Sequence, residues 1–421
     1  MTALAASGRA ETSGVAGAIG YFAPLLLLAG MVTPENPFVD IATSFMLKNH
    51  LHASAGFIAN FRFVTAIPIY LSFVFGILRD QWSPFGLRDR GYLLLFAMAA
   101  AAVFLALAVL PLSAAGLYLG VLMAMVCFRF ISAAQQGLMA LIGQEKRMSG
   151  VLASVLQVAT NVVGLAGGFA GGYVAQAWAP AATFGVMALL ALSVAAFGVW
   201  KPASIFHHTY DQPQAQHATL WADIRSLVRH RAIYPAILIA MLWNFAPGLA
   251  TPLQFYFSNT LHTPDALFGD FFGIYYASYL PTILLYGWLC RRFALKTLIW
   301  WAMILTVPQL VPLVLIHSGA QALMLAVPMG LLGGLGVAAI FDLAMRSCPP
   351  GLQGTLMMLV YGVYILSLRG SDVIGSAIYD LDPRVGFQWC VALTALVYTC
   401  ILPVILLIPR EVIATRDGEP G

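Results

Sequence analysis

Runs of about twenty or more apolar residues, separated by short polar turns, recur along the whole chain. A helix of ~20 such residues crosses ~30 Å of hydrocarbon. A membrane-spanning β-barrel would instead need ~10-residue segments of alternating polarity, and a run such as 91–110 has no period of two. With no water to satisfy the backbone, the helix is then the only spanning element left. Composition agrees: 61% of residues are hydrophobic and 9% charged, against about 25% charged in soluble domains. The expected class is an all-α membrane protein.

Twelve spans are expected, at 16–33, 53–78, 91–110, 115–142, 149–177 and 181–200, then 232–258, 266–289, 296–317, 320–346, 352–379 and 384–408. Thr33-Pro34-Glu35-Asn36-Pro37 interrupts the first, and the apolar piece 38–47 follows. That stretch reads either as one long kinked helix or as a short re-entry. With the amino terminus placed in the cytoplasm, Lys48 and Arg384 fall outside, while Arg62, Arg129 and Arg369 lie within spans. The other sixteen of the 21 basic residues face the cytoplasm. This asymmetry predicts an even number of spans, both termini cytoplasmic, in a cell's inner membrane. The basic residues flank the membrane, so the net charge of +4 does not predict nucleic-acid binding.

The longest polar stretch, 201–231, separates the expected six-helix bundles 1–200 and 232–421. Within it, Leu220, Trp221, Ile224, Leu227 and Val228 share one helical face behind Thr219, an N-cap candidate. This predicts an amphipathic helix on the inner membrane surface. His207, His208 and His217 read as part of a solvated linker. The five cysteines are scattered without CxxC spacing and read as small core residues. No metal and no cofactor is expected, and the chain is expected to act as a monomer.

The halves repeat. Leu47-Lys48-Asn49-His50-Leu51-His52 recurs as Phe257-Ser258-Asn259-Thr260-Leu261-His262, offset by 210, and Gly76-Ile-Leu-Arg79 recurs near Gly287-Trp-Leu-Cys-Arg291, offset by 211. Two pseudo-symmetric bundles with a polar centre between them are the expected result.

The loop Gly76-Ile-Leu-Arg79-Asp80-Gln-Trp-Ser-Pro84-Phe-Gly86-Leu-Arg88-Asp-Arg90 resembles the signature loop of the major facilitator superfamily. That resemblance implies a secondary transporter working by alternating access. Gly76 would allow close helix contact, and Asp80 would pair with Arg88 or Arg90 in a gating cluster. More narrowly, the chain resembles the folate–biopterin transporter family. It does so at Phe45-x-x-Lys48, Pro68, Tyr92, Trp243-Asn244-Phe245-x-Pro247, Pro252-Leu-x-Phe255-Tyr256, Leu261 and Cys348-Pro349-Pro350-Gly351-x-x-Gly354-Thr355-Leu356. It departs from that family at Ser72, where a basic residue is usual. Ser132, Gln135 and Gln136 stand where acidic ones are usual.

An ionisable residue inside a span costs ~2.5–3.5 kcal/mol on insertion scales and so marks function or pairing. Arg129, midway along the fourth span, is the first candidate for holding a substrate anion, since a guanidinium can bond both carboxylate oxygens. Gln136, seven residues on, shares its face. In the seventh span Asn244, Thr251 and Phe255 are further substrate-binding candidates, beside kinks expected at Pro247-Gly248 and Pro252. Arg62 and Asp372 are expected to form an outer gating pair, with Arg369–Asp372 at i, i+3 as its rival. Asp342 is a candidate for proton coupling, against an ordinary helix pair with Arg346 four residues on. The glycines 164, 167, 168, 171 and 172 are expected to pack the fifth span against the eighth.

Three function classes remain. The first is a symporter-type carrier of a small anionic organic solute, pterin- or folate-like in the resemblance. The second is a membrane assembly or pigment-delivery factor on the same fold. A membrane enzyme ranks last, because no nucleophile or metal cluster converges.

Overall fold

A computed structural model describes residues 2–53, 55–206, 225, 227–249, 251–263, 265–382 and 385–419. Most of the expected amphipathic segment, with His207, His208 and His217, lies outside these, as does Arg384. Among the described residues the structure is helical, and ten helices are long and apolar enough to cross a membrane. Their outer faces carry large apolar side chains such as Phe169, Leu189 and Met324, 65–82% exposed, as a lipid-facing surface requires.

The expected seventh and eighth spans are broken rather than continuous. Ile233–Trp243 ends before Pro247, and a short helix, Thr251–Phe255, runs into a π turn at Tyr256–Thr260. Asp265–Ala277 and Tyr279–Leu289 are divided just ahead of Pro281. Each proline lacks an N–H and crowds the carbonyl four residues back. The first span is likewise two helices, Thr2–Val32 and Pro37–Phe45, across a four-residue break. There the Thr33 hydroxyl donates to the Ala29 carbonyl at 2.8 Å and the Asn36 amide to the Gly30 carbonyl at 2.7 Å. Carbonyls freed at the helix end are thereby satisfied.

The sequence repeat is a repeat of backbone shape. Met46–His50 and Tyr256–Thr260 are both π turns, and His52 and His262 follow with φ of 50° and 52°.

The chain forms two compact units. The first holds residues 1–142, 162–226 and 349–358; the second holds 143–161, 227–348 and 359–421. Two helix starts are therefore packed in the unit of the other sequence half: the first turns of the fifth span and those of the eleventh. In the first unit, Arg88–Val109 packs along Pro180–Val199. Tyr21, Phe22, Phe104 and Phe184 are fully buried there. In the second, Gly319–Arg346 packs against Tyr279–Leu289 and Leu295–Thr306.

Part of the glycine stripe packs within the first unit, against the first span. A Cβ at Gly167 or Gly171 would meet Phe38, in the second half of the first span. The Ser154 turn, earlier in the fifth span, is what faces Gly287.

Candidate functional site

In the first unit, Arg129 lies midway along Ala114–Glu145 and is 1% exposed. Its guanidinium meets the Glu35 carboxylate at 2.8 Å. Glu35 sits in the break of the first span, where the absence of helical bonding lets its side chain reach the fourth span. Gln136, the expected companion, is buried, but its amide oxygen accepts no hydrogen bond among the described residues. Arg62 is bidentate on Asp40, at 2.9 and 2.7 Å. Arg62 thus has a bidentate partner within the first unit.

The signature loop is a charge cluster around Arg79. Its guanidinium bonds Asp80 at 2.7 Å and Asp89 at 2.6 Å. Asp80 also caps the start of the eleventh span, Gln353–Leu381. It accepts from the Gly354 N–H at 3.1 Å, the Thr355 N–H at 2.6 Å and the Thr355 hydroxyl at 2.6 Å. Positive helix ends favour such an anion. Gly76 lets this happen: a Cβ there would lie 2.5 Å from the Gly354 carbonyl oxygen. The expected partners of Asp80 do other things. Arg90 donates to the carbonyls of Gly198 and Val199, closing the end of the sixth span, and Arg88 takes a positive φ at the loop's turn.

In the second unit the broken seventh span runs along the eleventh. Asn244 donates to the Tyr364 carbonyl at 2.6 Å. Asp372 accepts from the Thr251 N–H at 2.8 Å and its hydroxyl at 3.0 Å. Phe255 tilts on Tyr379, with ring centroids 6.1 Å apart, and stays 47% exposed. All three expected site residues lie against the eleventh span, and two of them spend their polar groups on it. Arg369 is exposed, and Asp372 is held by Thr251 in the place of the expected i, i+3 pair.

At the end of the tenth span, Asp342 and Arg346 form the helix pair at 2.8 Å, and the Tyr286 hydroxyl donates to Asp342 at 2.8 Å. Arg346 also holds Asp417 from the carboxy-terminal tail at 2.7 Å. Burial first, and then the charge of Asp342, push the Asp417 carboxyl up to about 7, against the pull of Arg346 and of backbone donors. Beside this cluster lies a cavity of about 610 Å³, lined among others by Arg147, His230, Arg231, Arg346, Asp417 and Glu419.

Glu35, Asp40 and Asp417 were not expected from the sequence. Glu35 carried a signal, since an acid inside a 36-residue apolar stretch, Val15–His50, is an intramembrane charge. Asp417 carried none: its partners lie far away in sequence.

Comparison with known proteins places these features. The family model described as "Major Facilitator Superfamily" matches residues 26–367. A curated relative, the folate-biopterin transporter of Synechocystis sp., is 23% identical over 350 residues, covering 80% of this chain and 70% of the relative. A bacterial homologue of the iron transporter ferroportin, solved in an outward-facing state, superposes with a TM-score of 0.66 at 17% identity, over 92% of this chain and 98% of its own. The human organic anion transporter MFSD10 gives 0.63 at 14% identity, over 92% and 99%. With its twelve expected spans, its helical repeat and its capped loop, the chain belongs to the Major Facilitator Superfamily, a family of transporters rather than enzymes.

Proposed function

We propose that the chain is a proton-coupled symporter of a small organic anion, with pterin- or folate-like carboxylates as the first class to try. It acts as a monomer in the cytoplasmic membrane with both termini inside. The observation that carries this reading is the pair between the buried Arg129 and the half-buried Glu35. A guanidinium removed from water holds its carboxylate partner only while nothing better is offered. A substrate carboxylate supplies Arg129 with an equivalent partner, and a proton arriving on Glu35 removes the rival. One proton then enters with one anionic group, and no unpaired charge is left in the hydrocarbon. The name of the Synechocystis relative supports the pteridine class. The term "organic anion" in the name of the human neighbour agrees with the sign of the charge.

The test is uptake of radiolabelled folate, pteroate and simple aromatic carboxylates into proteoliposomes under an acid-outside gradient. Wild type accumulates at least one of them. Glu35→Gln keeps exchange of anion for anion but loses accumulation driven by the pH gradient, and Arg129→Gln loses both. Gradient-driven accumulation that survives in Glu35→Gln overturns the coupling. Tight binding of a planar ligand without flux overturns transport in favour of a delivery role.

A further inference from the structure

Two spanning helices begin alike, each with glycine as its second residue: Gly150 in Ser149–Ala177 and Gly354 in Gln353–Leu381. At Gly354 the cap is Asp80, four residues after Gly76. In the repeat, Gly76 corresponds to Gly287, and four residues later stands Arg291. The second half therefore has a cation where the first has its capping carboxylate.

The donors at Gly150 and Val151 are nonetheless capped. Asp417, on the tail, accepts from the Val151 N–H at 3.1 Å and from the Gly150 N–H. The surrounding tail is held along its length. The Asp417 N–H donates to the Cys290 carbonyl at 2.9 Å, and the Gly418 N–H donates to the Arg147 carbonyl at 2.7 Å. The Thr415 carbonyl accepts from Arg346 at 2.8 Å and from the Leu295 N–H at 3.3 Å. Arg346 bridges Asp342 and Asp417 just as Arg79 bridges Asp80 and Asp89. The approach is as close as at Gly76, since a Cβ on Gly150 would lie 2.5 Å from the Cys290 Cβ and 2.9 Å from the Asp342 carboxylate.

We infer that Asp417 is a positioning residue of the transport cycle: the carboxy-terminal tail supplies the helix-capping carboxylate that the second-half loop lacks, and its docking and release latch and free the start of the fifth span. This reading does not depend on the substrate.

The groups facing Asp417 are Arg346 and Asp342 on the tenth span, Tyr286 bonded to Asp342 from the eighth, and the Cys290 thiol. Arg416 and Glu419 pair with each other on the tail, while Arg147, His230, Arg231 and Glu411 lie around the adjoining cavity. At the centre two carboxylates share one guanidinium, so a docked tail holds a proton that a free tail releases. The docked carboxyl titrates at about 7 and the free one in the ordinary carboxylate range. Docking therefore tightens as pH falls through the window between them, and weakens above it.

The native Cys290 thiol, fully buried against the tail, reports the latch. Its alkylation by N-ethylmaleimide in the purified, membrane-reconstituted protein is read by peptide mass spectrometry, with buried Cys127 as the control for folding. Asp417→Ala should raise Cys290 labelling about tenfold, as loss of a cap implies, and leave Cys127 protected. Asp417→Asn keeps an acceptor and no charge. It should label like wild type near pH ~6 and more slowly than wild type near pH ~8, so the ratio of the two rates climbs with pH while the thiol's own titration cancels. An Asp417→Ala protein labelled at the wild-type rate overturns the inference. So does a wild-type to Asp417→Asn ratio that is flat with pH. If Asp417→Ala also exposes Cys127, the ratio decides alone.

Discussion

Inside the spanning helices of the first unit, opposite charges face each other directly, Arg129 with Glu35 at 2.8 Å and Arg62 with Asp40 at 2.7 Å. Away from its own buried ion cluster of Asp342, Arg346 and Asp417, the second unit is joined differently. The Gln309 amide donates to the hydroxyls of Tyr275 at 2.6 Å and Tyr279 at 3.0 Å, and Tyr279 donates on to Tyr275 at 2.8 Å. Asp372 there is satisfied by Thr251 rather than by a cation. The difference matters because an ion pair is exchangeable. A competing anion or a proton shifts it, whereas neutral hydrogen bonds among buried rings offer no charge for a solute to displace. On the proposed reading, Arg129 and Glu35 are what respond to cargo, while the tyrosine network around Gln309 keeps its shape.

The sharpest way to break this comparison is at Arg129. Replacing it with Gln leaves Glu35 without its cation and should cost about 3–5 kcal/mol of stability, as stripping one partner from a buried pair does. Adding Glu35→Gln should recover most of the melting temperature, because both charges are then gone. Transport of any anion should stay lost in the double variant. A double variant that transports would mean the pair only braces the helices.

In the second unit the corresponding probe is Gln309→Leu. It removes the donor to two buried tyrosine hydroxyls, a loss of about 1–3 kcal/mol. The expected readout is a lower melting temperature with KM for the transported anion unchanged. A large change in KM at normal stability would make the neutral network part of the binding site, and the contrast between the units would fail.

How far the sequence foretold all this differs by kind of interaction. Helices in lipid are written in runs of apolar residues, so most spans stand where expected, and the repeat offset of 210 reappears as matched π turns at Met46–His50 and Tyr256–Thr260. Asp342–Arg346 was legible because its spacing is local. Arg129 was legible as a charge in an apolar run, but its partner was not. Glu35 reaches it across 94 positions, and only because Pro34 and Pro37 break the first span. Asp80 was recognisable from its loop, yet its acceptor role depends on Gly354 and Thr355, 274 and 275 positions away. Spacing along one helix predicts neighbours on that helix. It says nothing about which distant helix start comes within reach.

The smallest effect is expected at Arg62. Its pair with Asp40 has the same bidentate form that makes Arg–carboxylate contacts strong, but its side chain is 52% exposed and that of Asp40 30%. Screening at such a site limits the pair to roughly 0–1 kcal/mol. Arg62→Gln should therefore shift the melting temperature little, and what shift there is should shrink as salt is raised. The same salt titration on Arg129→Gln should leave its large deficit in place, because Arg129 is out of reach of the ions. Equal salt sensitivity at the two sites would place both arginines in the same aqueous environment. Arg129 would then not be a buried charge for a substrate to claim.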